Sequence, residues 1–289
     1  MTRKVVILTE IISPYRIPVF NALAQHPGID LHVIFLAETD STLWQWKVYK
    51  DEIRFSFEIL PHWRRRIRGY NVLLNRGVTV ALVKAKPDVV VCGGYSYFAM
   101  WQAQRWARGR AIPVFWKKGF ARTSAEDLVA VMGIGKQSLY DTFGDKRRLF
   151  LEALRTYNSE GVAVLVKRVA GGASRIAAIE GVLVELANEE PYKRALGCMG
   201  VNSICELGDD EDVRAVSTMA AAFQETALTS LIEDAKQQGE VSDAVDARAA
   251  ARFLAAILSG MRVQAKVGAS VEALRDVAAF AVRGLRRKT

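Results

Sequence analysis

A chain of 289 residues, 51% hydrophobic and 25% charged, has enough apolar mass for more than one buried core, which excludes a disordered polymer. Three scattered cysteines, Cys92, Cys198 and Cys205, exclude a disulfide framework or zinc cluster and imply a reducing, cytoplasmic setting; no stretch approaches the roughly 18 apolar residues of a membrane span. The net charge of +9 suits a polyanionic partner, but residues 1–118 carry 18 Lys/Arg against 8 Asp/Glu whereas 119–289 carry 22 against 23, so the excess is not evidence for the motif described below.

In chain order, the short apolar runs at 5–8, 31–36 and 89–92 predict strands buried on both faces of a parallel sheet. Helical spacing between and after them predicts helices at 18–25, 78–84 and 97–107, and the alternation at 54–59 predicts a half-exposed strand. The expected class for this half is a partial doubly wound α/β layer. The run Arg64-Arg65-Arg66-Ile67-Arg68 has the charge to contact an anionic acceptor or nucleic acid, but reads first as a solvated loop. None of His26, His32 and His62 has a motif partner that would make it a base, so no catalytic residue, metal or cofactor is assigned.

Several stretches of this half, Thr9-Glu10-Ile11-Ile12-Ser13-Pro14-Tyr15-Arg16, Pro87-Asp88-Val89-Val90-Val91, Gly93-Gly94-Tyr95 and Ile112-Pro113-Val114, resemble the acceptor-side domain of family 4 glycosyltransferases of the GT-B fold. The resemblance covers residues 3–116 and implies a domain that is cut short, because the helical region begins where it should still be adding strands; the second, donor-holding domain of such enzymes has no counterpart here.

From Ser124 onward the pattern is helical and alanine-rich, with helices expected at 124–131, 135–142, 146–169, 174–187, 191–207, 210–238, 246–267 and 270–286. Thr123-Ser124-Ala125-Glu126 reads as a capping box with the threonine as cap. Leu128, Val129 and Met132 give the helix that follows an apolar face, and Gly133 supplies a turn with positive φ. In the next helix Leu139 and Phe143 bury inward, which leaves Lys136, Gln137, Ser138, Tyr140 and Asp141 outward. Lys136 and Gln137 have the chemistry to read base edges, Ser138 and Tyr140 to hold phosphate oxygens, and Lys146 to hold a phosphate with the free amides of its helix.

The segment from Thr123 to Leu149, with Met132-Gly133-Ile134-Gly135, Ser138-Leu139-Tyr140 and Phe143-Gly144-Asp145-Lys146, resembles the helix-turn-helix signature of TetR-type transcriptional regulators. The resemblance implies double-stranded operator DNA as partner, with Thr123, Lys136, Gln137, Ser138, Tyr140 and Lys146 as DNA-binding residues. Less specifically, through residue 286, it implies a helical region that binds a small-molecule effector and dimerises. The apolar faces Phe253, Leu254, Ile257, Leu258, Met261 and Leu274, Val277, Phe280, Ala281 suit a homodimer through 246–286. Cys198, Met199, Met219 and Phe223 are soft side chains suited to an apolar effector pocket.

The two resemblances meet at 112–116, which one reads as a strand and the other as part of a bracing helix that Gly109 and Pro113 oppose. The expected organisation is therefore a partial glycosyltransferase-like α/β domain (1–116), a helix-turn-helix domain lacking most of its first helix (117–169) and a helical ligand-binding and dimerisation domain (170–289). The expected function is a ligand-released, DNA-binding repressor carrying the appended segment. A glycosyltransferase, or a non-functional chimera, is the alternative.

Overall fold

The computed structural model describes residues 2–39, 50–67, 70–94 and 96–286. Arg68 and Tyr95, named above, lie outside the described residues. The strands in chain order are β1 (Arg3–Thr9), β2 (Ile29–Phe35), β3 (Ser56–Ile59), β4 (His62–Ile67), β5 (Tyr70–Asn75) and β6 (Val89–Cys92). The helices are α1 (Ile17–Ala24), α2 (Val78–Ala85), α3 (Phe98–Lys118), α4 (Ala125–Met132), α5 (Lys136–Phe143), α6 (Lys146–Ala170), α7 (Arg175–Ala187), α8 (Pro191–Leu196), α9 (Met199–Leu207), α10 (Glu211–Gln237), α11 (Ala247–Lys266) and α12 (Val271–Arg283). By internal contacts the chain divides into two units: Met1–Val114 with Ser124–Leu149, and Phe115–Thr123 with Phe150–Thr289.

In the first unit, four parallel strands run in the order β3-β2-β1-β6, with Val5 opposite Leu31 and Val6 opposite Val90. Alternation along β1 sends Val6 and Leu8 to one face, against Leu82 of α2 and Ala99, Met100 and Ala103 of α3. Ile7 goes to the other face with Ile17 and Phe20 of α1, where Phe20 meets Phe55 edge-on at 5.6 Å. β4 and β5 form a separate antiparallel pair.

This corrects the expected fold class. The chain is mostly helical with a short four-stranded sheet, and it does not form a doubly wound α/β domain of the glycosyltransferase kind. The decisive stretch is 112–116, a strand on the glycosyltransferase-like reading and part of a helix on the TetR-like one, which lies inside α3 with Pro113 in the helix interior. Ala99, Ala103, Ala107, Ala111 and Phe115 are buried at four-residue intervals, a single helical stripe. An interior proline costs about 3 kcal/mol. Burying Met100 and Phe115 alone returns roughly that, at about 1.5–3 kcal/mol each. The helix thought to be largely missing is therefore present and runs for 21 residues. The arginine run is likewise corrected: Arg64, Arg65 and Arg66 belong to β4, and Arg64 pairs with Glu10 at 3.3 Å.

The second unit is helical. Leu165 and Val169 of α6 pack with Ile179 and Leu183 of α7, Leu228 and Ile232 of α10, Leu254 and Met261 of α11, and Leu274 and Ala278 of α12. Four of its helices are capped by side-chain oxygens, those of Ser174, Asp210, Asp246 and Ser270. The helix expected at 191–207 is broken in two at Gly197, whose φ is +68°. Phe115 and Phe120 each stand 5.2 Å from the ring of Phe150, and the indole of Trp116 donates to the Gly197 carbonyl at 3.2 Å.

Candidate nucleic-acid interface

The loop after α3 is held by an acid that sequence inspection passed over. Glu206 accepts from the amides of Phe120 (2.9 Å) and Ala121 (2.8 Å), and a side chain at Gly119 would collide with its carboxylate at 2.6 Å. Thr123 is buried in this loop, its hydroxyl donating to the Gly119 carbonyl at 2.5 Å. It is therefore not the cap of α4.

That role falls to Ser124, one residue later. Its hydroxyl accepts from the Asp127 amide at 3.1 Å while Asp127 accepts from the Ser124 amide at 3.0 Å, a reciprocal capping box. Helix α4 buries Leu128 and Met132 and ends at Gly133, whose φ of +67° turns the chain toward α5. The turn is pinned to the sheet. Val90 donates to the Gly133 carbonyl at 2.5 Å, and a Cβ on Gly133 would stand 2.9 Å from the Asp88 carbonyl oxygen. Two arginines of α3, singled out by no motif, also reach this region: Arg110 donates to the Val131 carbonyl and Arg108 lies 6.0 Å from the Phe143 ring centre.

On α5 the predicted division is observed. Leu139 and Phe143 are buried, whereas Lys136, Gln137, Ser138, Tyr140 and Asp141 are exposed, Tyr140 by 38%. Lys136 faces Glu126 of α4 at 3.4 Å, and Gln137 donates to Asp141 at 2.8 Å. Glu126 is held below the usual carboxylate range, first by its own backbone amide and then by Lys136. Such exposed contacts contribute little, because solvent screens them, so both outward side chains can exchange them for a ligand. Asp145 accepts from the Arg148 amide at 2.7 Å and so caps the start of α6, where half-buried Lys146 stands with Arg147 and Arg148. The two arginines add cationic side chains beside the one predicted phosphate-holding lysine. Between 124 and 149 there are four basic and four acidic residues. All four acids, Glu126, Asp127, Asp141 and Asp145, are engaged inside the segment, which leaves its outward chemistry to donors.

The suggested effector residues differ in burial. Met199 is buried and Cys198 half-buried at the start of α9, but Met219 and Phe223 lie on α10 with 72% and 58% of their surface exposed. Near Cys198 the Tyr157 phenol is pushed up, chiefly by burial and then by the thiol. The apolar residues of α11 and α12 divide in two. Leu254, Met261, Leu274 and Ala281 are buried, while Phe253, Val277 and Phe280 remain exposed, Phe280 by 73%. Among the described residues there is no cluster of metal-ligating side chains, and no helix is long and apolar enough to cross a membrane.

Residues 110–153 match the family described as bacterial regulatory proteins, tetR family, and residues 172–281 match the Tetracyclin repressor-like, C-terminal domain. The chain is 35% identical over 172 residues to an uncharacterized HTH-type transcriptional regulator, YezE, of Bacillus subtilis, a match covering 58% of this chain and 88% of that protein. It is 30% identical over 183 residues to the HTH-type transcriptional repressor ComR of Escherichia coli, covering 61% and 86% respectively. Among solved structures it resembles a cysteine mutant of the TetR family regulator CifR in complex with 26-base-pair operator DNA. That similarity has a TM-score of 0.54 and 26% identity, over 62% of this chain and 94% of the other. The first of the two family matches begins at residue 110, and nothing in these comparisons supports a glycosyltransferase-like segment before it.

Proposed function

The chain belongs to the TetR family of bacterial regulatory proteins, and from that premise we propose that it is a dimeric repressor released from operator DNA by a small molecule. The observation that carries this reading is the face of α5. Buried Leu139 and Phe143 fix the helix while Lys136, Gln137, Ser138 and Tyr140 point to solvent, with Lys146 opening α6. Lys136 and Gln137 read bases; Ser138, Tyr140 and Lys146 hold phosphates. Thr123, buried and bonded to Gly119, supports the approach to α4 and does not itself reach DNA.

The CifR complex supports double-stranded operator DNA as partner, and the name of ComR supports repression. The break between the stretches matched at 110–153 and 172–281 supports a division near residue 170 into DNA-reading and ligand-binding parts. Within the latter, the effector sits near Cys198 and Met199. The homodimer forms through 246–286, where Phe253, Val277 and Phe280 await cover.

The test is fluorescence anisotropy with DNA flanking the protein's own gene, across a salt series. Tyr140→Ala and Lys146→Ala are each expected to weaken binding by about 1 kcal/mol, and Lys146→Ala to lower the salt slope by about one. Wild-type protein showing no salt-dependent binding to any such fragment would overturn the reading.

A further inference from the structure

The structure holds a second feature, remote in sequence from the DNA-reading helices. A cleft of about 290 Å³ opens at the carboxyl ends of β1 and β6, lined by Thr9, Ser13, Arg16, Gly93, Gly94 and Ser96 among others. Its position follows from the topology. The chain leaves β1 toward α1 on one face of the sheet and leaves β6 toward α3 on the other, so the two connections part and leave a crevice between them.

Its chemistry favours an anion. Arg16 is fixed in place by donating to the Thr9 hydroxyl at 2.8 Å. Helix α3, 21 residues long, begins just after Ser96 and Tyr97, so the positive end of its dipole faces the same opening. Glu10, which also lines the cleft, is paired with Arg64 at 3.3 Å, so its charge is offset. The backbone lies bare at two glycines: a Cβ on Gly93 would press on the Thr9 hydroxyl at 3.1 Å, whereas Gly94 borders open space.

An independent observation points to an occupant. Ser13 is 4% exposed, and among the described residues its hydroxyl has no hydrogen-bond partner. A buried hydroxyl is seldom left unsatisfied, and an acceptor atom seated in the cleft would complete it.

We propose that this cleft binds a compact phosphate monoester, its phosphoryl oxygens received by Arg16, the Ser13 and Ser96 hydroxyls and the amides at the start of α3. The volume lies at the lower end for small-molecule pockets, which limits the ester to a small body. Neither DNA binding nor the effector region enters this inference.

The full-length protein, labelled with glycine carrying 15N and a 13C carbonyl, provides the test. Only Gly94 and Gly172 follow another glycine, so their amides alone appear in a carbonyl-correlated spectrum, and Gly94→Ala identifies which is which. Titration with glycerol 3-phosphate at constant ionic strength is expected to move the Gly94 signal saturably while Gly172 stays still. Arg16→Gln should weaken that response by about tenfold or more. Ser96→Glu, at an exposed position that leaves the fold intact, should do the same by placing a carboxylate in the anion's path. A still Gly94 signal in the wild type, an unchanged response in both variants, or an equal response to sodium acetate would each overturn the proposal.

Discussion

Helices α3 and α5 serve one motif in opposite ways. The eight residues of α5 bury two side chains and turn five to water, whereas α3 buries a stripe from Ala99 to Phe115 and carries the arginines that hold Val131 and Phe143. The reading helix therefore contributes little to its own stability and takes its position from what stands behind it. Recognition and support fall on different residues, so they can be broken separately.

The largest expected effect comes from removing the anchor of α5. Leu139→Ala leaves a cavity at a fully buried site and should cost about 2–5 kcal/mol in urea unfolding, with DNA affinity falling alongside. Gly133→Ala comes next. It forces a side chain into left-handed backbone and against the Asp88 carbonyl, for about 2–3 kcal/mol, and should leave the outward face of α5 chemically unchanged. Retention of wild-type stability by either variant would show that the support lies elsewhere.

A pH experiment probes the sheet side of the same support. Burial pushes the Cys92 thiol up to about 11 from 9.0. The unfolded chain thus loses this proton first, so the contribution is intact below pH 9 and is lost as pH rises toward 11, to a limit of about 3 kcal/mol. Chemical denaturation across that window should show a steeper fall for wild type than for Cys92→Ala, and parallel curves would count against it.

Smaller again, Ser124→Ala removes the cap of α4 and should cost about 1 kcal/mol, against no comparable loss of a cap for Thr123→Ser, which retains a hydroxyl. Comparing the two variants by thermal melting sharpens the boundary between loop and helix. At the small end, Glu126→Gln releases Lys136 from its carboxylate and should change DNA affinity at low salt while leaving stability within the error of the measurement.

The site was more legible in the sequence than its support. The turn at Gly133 and the inward pair Leu139 and Phe143 are local patterns, readable at four-residue spacing without knowledge of the fold. The cap was misplaced by one residue because Thr123-Ser124 offers two hydroxyls and Glu126-Asp127 two acids, and only the Gly119 carbonyl decides between them. The continuation of α3 beyond residue 107 was hidden because Gly109 and Pro113 are strong local signals against it, while the burial that overrides them depends on partners distant in sequence. Arg64 read as solvated for the same reason, since Glu10 lies 54 residues away. Met219 and Phe223 look like pocket residues by type, but softness of a side chain does not determine the face on which it lies.

The bond from Val90 to the Gly133 carbonyl also bears on solubility. β6 is the last strand of its sheet, and its outer side would otherwise present an unmet backbone row to any passing strand. The turn between α4 and α5 occupies part of that row. A fragment ending at residue 118 would therefore carry an open template for strand addition. It should self-associate in light scattering at concentrations where the whole chain does not, so the motif that faces DNA also shields its own sheet from aggregation.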